Sequence, residues 1–426
     1  MSSNAADDAR FMRLALRMAE RGLGTTAPNP SVGAVVVRHD NGGATVVARG
    51  WTERGGRPHA ETQALARAGE LARGATMYVT LEPCSHHGRT PPCAEAVIAA
   101  RIARVVVGIE DPDARVAGRG VAMLRTAGIE VVVGVEAAAC HWLTLGHILR
   151  VTQARPFVQA KLAVSANGLV PFGRAGAPVW VTGALARAAA QMQRAEADAI
   201  MVGIGTVLAD DPELSCRLPG MQARSPIRVV LDTHLRCPLT ARLVQTARQV
   251  PTWVVCGPDA HPERRQSLER LGVRVISLSA PGSEREMRSP SVSVPSSSSG
   301  EGQGEGGVAA GSGFLVRTPH LSPPPQGGRE IPAASAVDLH NVLRCLAAEG
   351  ITRLLVEGGP TLAKALDDAG LIDEHVLFRG ARALADAEGR SIDTIWSADV
   401  LRHLQSAPPE RLGEDRILRW RRSTTT

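Results

Sequence analysis

Three residues in the first quarter of the chain carry the side chains of a catalytic metal centre. His59, Cys84 and Cys93 supply one imidazole and two thiolates, the soft donors that suit Zn²⁺. Three protein ligands leave the fourth tetrahedral position open for water. Glu61 is not needed as a ligand, so it can take a proton from the attacking water and pass it to a leaving amine. The pattern predicts hydrolytic deamination of an amino-substituted heterocycle.

A structural zinc site is the alternative for the same residues. Such sites usually close with a fourth cysteine or histidine, often in a short-spaced pair. Here the nearest extra donors, His86 and His87, lie inside the loop between the two cysteines. The His-x-Glu and Pro-Cys pattern is typical of zinc deaminases, although Cys93 lies farther from Cys84 than their usual C-x-x-C spacing. We therefore favour a catalytic zinc.

Length and composition indicate two α/β domains. The 426 residues are too many for a single ordinary core, and 44% of them are hydrophobic, which is enough for two. The seven cysteines are scattered, the first 28 residues contain no apolar signal-peptide run, and no stretch is long and apolar enough to span a membrane. We expect a cytoplasmic protein with reduced thiols and no membrane partner.

The net charge of +6 mildly favours anionic partners. A nucleic-acid binder would show basic residues clustered with stacking aromatics, and only 3% of this chain is aromatic. We therefore expect phosphorylated small molecules and no nucleic acid. The one dense basic patch, expected to be a solvated tail, comprises Arg416, Arg419, Arg421 and Arg422.

Helical and strand patterns alternate along the chain, which predicts sheets covered by helices on both faces. The expected helices of the first half begin near residues 8, 59, 92 and 118, and the strands cover 32–38, 45–51, 76–81, 104–109 and 129–134. A turn at 40–43 would make the first two strands a hairpin. The metal ligands would then lie at two helix starts and in a loop, where helix dipoles favour thiolate.

The second half shows strand patterns at 157–165, 199–203, 227–232 and 354–356, with a helix over 183–196. After the last of these strands, the run Glu357-Gly358-Gly359-Pro360-Thr361-Leu362 forms a glycine turn with proline in the first turn of the next helix. Exposed amides at such a helix start could hold a pyrophosphate. Taken alone this signal is weak, because Gly-Gly-Pro often only marks a loop.

Three strings in the chain resemble those of the bacterial bifunctional riboflavin-biosynthesis deaminase-reductases. They are T-L-E-P-C-S-H-H-G-R-T-P-P-C at 80–93, P-N-P-S-V-G at 28–33 and G-T-V-L-A-D-D-P at 205–212. The resemblance implies a cytidine-deaminase-like three-layer α/β/α domain over 1–150 and a dihydrofolate-reductase-like α/β domain over 155–426. Residues 281–336, rich in Ser, Gly and Pro, would be a disordered insertion within the second domain.

The resemblance also implies an activity and a set of site residues. The substrate would be a ribosylated, phosphorylated pyrimidine that is deaminated with Zn²⁺, after which NADPH reduces its ribose to a ribityl chain, in a homo-oligomer. Asn29 would contact the pyrimidine and Arg89 its phosphate, while Lys161 and Asp210 would assist reduction. The residues implied for NADPH are Ala163, Trp180, Thr206, Asp210, Thr233, Gly359, Pro360, Thr361, Leu362 and Ala363. Those implied for the reductase substrate are Arg194, Leu214, Arg217 and Glu357.

Two departures from the family pattern leave alternatives open. The family motif S-L-D-G-R-T is replaced by Ser165-Ala166-Asn167-Gly168-Leu169-Val170, and Pro178 stands where a substrate-contacting serine is usual. A deaminase with a disabled reductase half is therefore one alternative. The others are a zinc deaminase that acts on a nucleic-acid base and a non-catalytic binding protein with a structural zinc.

Overall fold

A computed structural model describes residues 5–40, 43–87, 91–171, 179–278 and 337–423. In its first half a five-stranded sheet has the order β2-β1-β3-β4-β5, with β1 antiparallel to both neighbours and β3, β4 and β5 parallel. The elements are α1 (Ala5–Glu20), β1 (Gly33–Asp40), β2 (Gly43–Trp51), α2 (Ala60–Ala68), β3 (Thr76–Leu81), α3 (Cys93–Ala99), β4 (Arg104–Ile109), α4 (Arg119–Thr126), β5 (Glu130–Val133) and α5 (Ala137–Gln153).

Helices cover both faces of this sheet because its central strands are apolar on both sides. Val36 and Val79 face the layer of α2, α3 and α4, in a cluster that includes buried alanines of α2. Val35 and Tyr78, their neighbours along the strands, face the layer of α1 and α5. The predicted strands and helices of this half are confirmed, and the predicted turn at 40–43 lies partly outside the described residues.

The second half is built on a ten-stranded sheet with the main order β11-β10-β9-β8-β12-β6-β13-β17-β15, in which β16 also pairs with β17. Strands β6 and β8–β13 are parallel to their neighbours along the order from β11 to β13. The elements are β6 (Phe157–Val164), β7 (Leu169–Pro171), α6 (Ala184–Ala195), β8 (Ala199–Gly203), α7 (Ile204–Asp210), β9 (Ile227–Leu231), α8 (Arg242–Gln245), β10 (Thr252–Cys256), α9 (Pro262–Arg270), β11 (Arg274–Ser277), α10 (Leu339–Ala348), β12 (Arg353–Glu357), α11 (Pro360–Asp368), β13 (Glu374–Arg379), β14 (Gly389–Ser391), α12 (Ala398–Arg402), β15 (Gln405–Ser406), β16 (Glu410–Leu412) and β17 (Asp415–Arg421).

The basic segment near the C-terminus is a strand, so the prediction of a solvated tail is wrong. Strand β17 pairs antiparallel with β13 from Arg416 to Arg421, Ile417 is only 2% exposed, and Arg422 lies just beyond the strand. Arg421 donates from Nε to Glu374 Oε1 at 3.0 Å, and Arg419 lies 3.8 Å from the same carboxylate. Burial of alternate apolar side chains therefore outweighs the high density of charge.

Parallel pairing brings the carboxyl ends of β6, β8, β9 and β12 to one edge of the second sheet. Ligands of open α/β sheets bind at that edge. Glu357 ends β12 and pairs in the sheet with Lys161 of β6, and α7 with Thr206 follows β8 directly. The topology thus collects candidate reductase residues that are scattered along the sequence.

Helix α5 ends at Gln153 and β6 begins at Phe157, so the two sheets are joined by a short connection. The domain boundary near 150–156 stays a prediction. The predicted insertion at 281–336 lies outside the described residues. Across the described ranges, no helix combines the length and apolar character needed to cross a membrane.

A glycine in β2 sets the position of the helix that begins after His59. A Cβ at Gly50 would lie 2.1 Å from the carbonyl oxygen of Ala60 and 2.7 Å from the amide nitrogen of Ala64. We expect Gly50→Ala to lower the free energy of unfolding by roughly 1–3 kcal/mol, because α2 must move away from the sheet. Urea denaturation measures this change. Gly203→Ala is the matched control, since a Cβ there meets no atom within 4 Å; equal losses in both variants would contradict the packing argument.

Candidate active sites

Two helix starts and one loop bring the predicted zinc ligands together. His59 is the N-cap residue of α2, Cys93 is the first residue of α3, and Cys84 lies in the loop after β3. The His59 Nδ1 atom lies 3.7 Å from the Sγ of Cys84 and 3.3 Å from the Sγ of Cys93. The Cys93 backbone N–H donates to Cys84 Sγ at 3.3 Å. The N-termini of α2 and α3 therefore converge on the predicted metal site, as the sequence predicted.

The spacing of these three atoms fits a tetrahedral zinc ion. Zn–S and Zn–N bonds of about 2.3 and 2.0 Å at tetrahedral angles place sulfur and nitrogen roughly 3.5 Å apart, close to the two separations found here. Within the described ranges, His59, Cys84 and Cys93 form the one group of three or more potential ligands. A triplet with no fourth histidine or cysteine favours an open, catalytic position over a structural site.

Glu61 lies in the first turn of α2, beside the three ligands. Its side chain is almost fully enclosed, with 3% of the residue exposed. Burial raises the pKa of Glu61 to about 7, against the opposing effect of the His59 charge. A carboxyl group that titrates near neutrality can both accept and return a proton, which is what a general base that later acts as an acid needs.

Asn29 is held in place by the loop around it. Its Nδ2 donates to the carbonyl of Gly56 at 3.0 Å, and its own carbonyl accepts from Thr26 Oγ1 at 3.0 Å. Gly56 has a φ of +84°, and a Cβ there would lie 2.2 Å from Asn29 Nδ2, so only glycine fits. Arg89, the other predicted substrate contact of this half, lies outside the described residues.

Two residues of the cysteine loop, Ser85 and His86, were not predicted from the sequence to contact the substrate. Ser85 Oγ and His86 Nδ1 are buried, and neither atom has a hydrogen-bond partner among the described residues. Both follow Cys84 directly, so a polar substrate at the metal could satisfy them. The available signal was their place in the string between the two cysteine ligands, but polar residues in a loop are usually solvated.

A buried ion cluster occupies the carboxyl edge of the second sheet. Arg194 Nε and Nη2 donate to the two oxygens of Glu357 at 2.9 and 2.8 Å, and Lys161 Nζ lies 3.9 Å from Glu357 Oε2. Burial alone would raise the pKa of Glu357, but the charges of Arg194 and Lys161 outweigh it and hold the pKa at about 2. The carboxylate is therefore ionised and balances two cations.

The predicted cofactor turn is tied to the helix after β8. Thr206 Oγ1 accepts a hydrogen bond from the N–H of Gly359 at 2.9 Å, and Gly359 is the N-cap residue of α11. Proline at the first position of α11 has no N–H to donate, so the free amides belong to the residues after it. Thr361 and Leu362 lie in this first turn, while Ala363 is buried in the core. Residues that follow β8 and β12 thus share one cradle.

The remaining predicted reductase residues differ in exposure. Asp210 ends α7 and is exposed, and Trp180 is 53% exposed with Arg187 over its ring. Thr233 lies just after β9, and Ala163 packs near the end of β6. By contrast the Leu214 side chain is 2% exposed, so a substrate contact there would come from its backbone. The Arg217 guanidinium lies 3.6 Å from Glu213, near the surface.

Asn167, the departure from the family motif, has a structural role of its own. Its Nδ2 donates to the carbonyl of Leu384 at 2.9 Å, and its Oδ1 accepts from the N–H of Leu384 at 3.1 Å and from Ser165 Oγ at 2.7 Å. A carboxylate could not donate the first of these bonds. Pro178, the second departure, lies outside the described residues.

Family models match both halves of the chain. The cytidine and deoxycytidylate deaminase zinc-binding region matches residues 5–109, and the RibD C-terminal domain matches residues 156–296 and 310–407. The predicted fold class, a cytidine-deaminase-like domain followed by a reductase-type α/β domain, is confirmed.

Relatives of the same domain organisation extend over nearly the whole chain. The riboflavin biosynthesis protein RibD of Aquifex aeolicus is 34% identical over 97% of this chain and 98% of its own length. The RibD protein of Escherichia coli is 35% identical over 90% of both chains. Acinetobacter baumannii RibD matches with a TM-score of 0.74 at 32% identity, covering 99% of this chain and 100% of that one.

The name of a third similar protein states two enzymatic activities. The diaminohydroxyphosphoribosylaminopyrimidine deaminase/5-amino-6-(5-phosphoribosylamino)uracil reductase of Thermotoga maritima has a TM-score of 0.71 at 28% identity, over 98% of this chain and 99% of that one. The zinc triplet, the ion cluster at the second sheet and the full-length similarity lead to one conclusion: the chain belongs to the RibD family of riboflavin biosynthesis proteins.

Proposed function

We propose that this chain catalyses two consecutive steps of riboflavin biosynthesis. The first half deaminates 2,5-diamino-6-(5-phosphoribosylamino)pyrimidin-4-one with zinc, and the second half reduces the ribose of the product to a ribityl chain with NADPH. The observation that carries the proposal is the open His59, Cys84 and Cys93 triplet beside the buried Glu61. The family membership supplies the substrate class.

In the deaminase half, each side chain at the site has a separate role in the reaction. Bound zinc would supply Lewis-acid activation of the attacking water. Glu61 would accept the proton of the attacking water and deliver it to the leaving amine, and its burial favours the protonated form from which that delivery is made. Asn29, fixed by Gly56, would orient the pyrimidine. Arg89 remains our proposed phosphate contact.

In the reductase half, the ion cluster places charge where the sugar ring opens. Bound NADPH would supply the hydride, and the chain must orient it against the ribose. Lys161 is held by Glu357, which also fixes Arg194, so the cationic ends stay at the carboxyl edge of the sheet. Asp210 lies at the end of α7, next to the cradle of Thr206 and Gly359 that we assign to the cofactor. Arg217 is exposed enough to bind phosphate.

A deaminase with a disabled reductase is less well supported. The aspartate-to-asparagine departure at 167 serves the Leu384 backbone, and Lys161, Arg194 and Glu357 keep their mutual contacts. A nucleic-acid substrate has no observation in its favour beyond the chemistry of the zinc site. We also retain a homo-oligomer and the cytoplasm as proposals, the latter because all seven cysteines are free thiols.

Product identity tests the proposal directly. The zinc-loaded protein is given the phosphoribosylated diaminopyrimidine with and without NADPH, and the products are weighed by mass spectrometry. We expect a mass increase of about 1 Da for the exchange of an amino group for oxygen, and a further 2 Da only with NADPH. A deaminated product that NADPH leaves unchanged would restore the deaminase-only alternative, and an unchanged substrate would contradict the proposal.

Glu61→Gln should separate catalysis from metal binding. The amide cannot take a proton, so we expect the rate of deamination to fall about 10²- to 10⁴-fold while zinc content stays the same. Stopped assays of deamination and metal analysis of the purified variant measure the two quantities. Asp210→Asn is the paired variant: it should slow NADPH oxidation and leave deamination intact. Loss of zinc in Glu61→Gln would refute its assignment as a non-ligand.

Cys84→Ser should remove the metal. Serine is a poor zinc ligand, so we expect well under one zinc per chain after dialysis, with loss of deamination. Cys345→Ser is the control, because that half-buried thiol lies in α10, far from the triplet in the chain. Elemental analysis measures the zinc content of both variants. Full zinc content in Cys84→Ser would overturn the ligand set.

Restoring the family aspartate should destabilise this chain. In Asn167→Asp the bond to the Leu384 carbonyl is replaced by a repulsive contact between two acceptors. We expect a loss of about 1–3 kcal/mol in the free energy of unfolding. Thermal or urea denaturation measures it, with Asn167→Ala as a reference that removes the bonds without adding charge. A more stable Asn167→Asp variant would show that asparagine has no structural advantage here.

A further inference from the structure

A cleft of about 600 Å³ lies between the two halves of the chain, apart from both candidate active sites. Helices α1 and α5 form one wall, and the starts of β12 and β13 with strand β17 form the other. Arg353 begins β12 whereas Glu357 ends it, so the cleft and the reductase cluster lie at opposite edges of the sheet, roughly 13 Å apart along the strand. None of the zinc ligands lines the cleft.

The two walls differ in chemistry. The wall from the first half is mainly apolar, with Leu16, Leu143 and the Trp142 ring. The wall from the second half carries the guanidinium groups of Arg353, Arg419 and Arg422. Arg421 also reaches the cleft, but it is engaged by Glu374 and stacks on Trp142 at 4.1 Å. One ligand could therefore contact an apolar surface and a cationic surface at once.

Arg353 is the cation with the least compensation. Its guanidinium packs on the Phe157 ring at 4.6 Å, and its side chain makes no ion pair or hydrogen bond within the described part of the chain. Burial lowers the pKa of this guanidinium, against the attraction of Glu374 and Glu196. An anion in the cleft could pair with this guanidinium without displacing another protein group. Arg353 therefore marks the cationic wall as a place for a ligand.

The carboxylates that line the cleft do not pair with the guanidinium of Arg353. Glu374 accepts bonds from Arg421 and from Gln159, and Glu20 is paired with Arg17. Glu196 has no ion pair among the described residues, and burial raises its pKa against the attraction of nearby arginine charges, that of Arg353 first. Arg422 is exposed, and within the described ranges its one hydrogen bond is from its backbone N–H to the carbonyl of Asp373.

We propose that this cleft binds a phosphorylated ring compound of mononucleotide size, with its phosphate on Arg353 and Arg422 and its ring against Leu143 and Trp142. Guanidinium groups bind phosphate through paired, charge-assisted hydrogen bonds. The volume lies within the range of small-ligand sites, and a mainly apolar wall with a few polar groups is typical of them. Because its walls come from both halves of the chain, the ligand would bridge them.

Calorimetric titration of AMP into the full-length, zinc-loaded protein tests the proposal. Two changes remove charge from the cleft, Arg422→Glu at an exposed position and Arg353→Leu at a half-buried one. Arg270→Glu is the control, because this exposed arginine ends α9 beside β11, at the far end of the strand order from β17. Unchanged rates of deamination and of NADPH oxidation confirm that both halves of each variant are folded.

We expect AMP affinity to fall about tenfold or more in both cleft variants and to stay unchanged in Arg270→Glu. The same isotherm in all four proteins would mean that AMP binds only at a catalytic site, and the proposal would be wrong. No detectable binding of AMP to the unmodified chain would overturn it as well. Arg422→Glu alone decides the matter if Arg353→Leu does not fold.

Discussion

The close approach of helices to glycines in the first sheet determines the position of the zinc site. A Cβ at Gly50 would overlap the first turn of α2, and a Cβ at Gly33 would lie 1.9 Å from the carbonyl oxygen of Ala15 in α1. Only hydrogen at these positions allows backbone to pack on backbone. His59 and Glu61 are attached to α2, so their position relative to Cys84 and Cys93 depends on this contact.

The second site depends on charge compensation instead of close packing. Burial raises the pKa of Glu357, and the charges of Arg194 and Lys161 outweigh it and keep the carboxylate ionised. With both cations present, it fixes the long side chains of residues that come from α6 and β6. Such a cluster is a poor source of stability but a precise way to hold charge at one edge of a sheet. Deamination and reduction thus rest on two different physical arrangements in one chain.

Local strings predicted the parts of the site that are close in sequence. The His-x-Glu pair and the cysteine string indicated both the metal and its base, because each element there is short and its residues stay together. The pairing of Arg194 with Glu357, 163 positions apart, depends on strand order, which no local pattern contains. The resemblance to a known family supplied those residues instead.

The C-terminal arginines show the limit of composition. Their density favoured a solvated segment, yet the ladder to β13 places Arg416, Arg419 and Arg421 in the sheet, with Arg422 just beyond it. The available signal was the three apolar residues Ile417, Leu418 and Trp420 set among the arginines, which lie on both faces of β17. In the same way, the buried side chain of Leu214 could not be inferred, since its left-handed backbone conformation is a tertiary feature.

The short connection between α5 and β6 fixes the ratio of deaminase centres to reductase centres. Since Phe157 follows Gln153 after three residues, every chain that is synthesised contributes one centre of each kind. The ratio of the two activities therefore cannot be adjusted by gene expression and must be set by substitutions within the sites themselves. The tether also keeps the second centre at an effective concentration in the millimolar range around the first, however dilute the protein is.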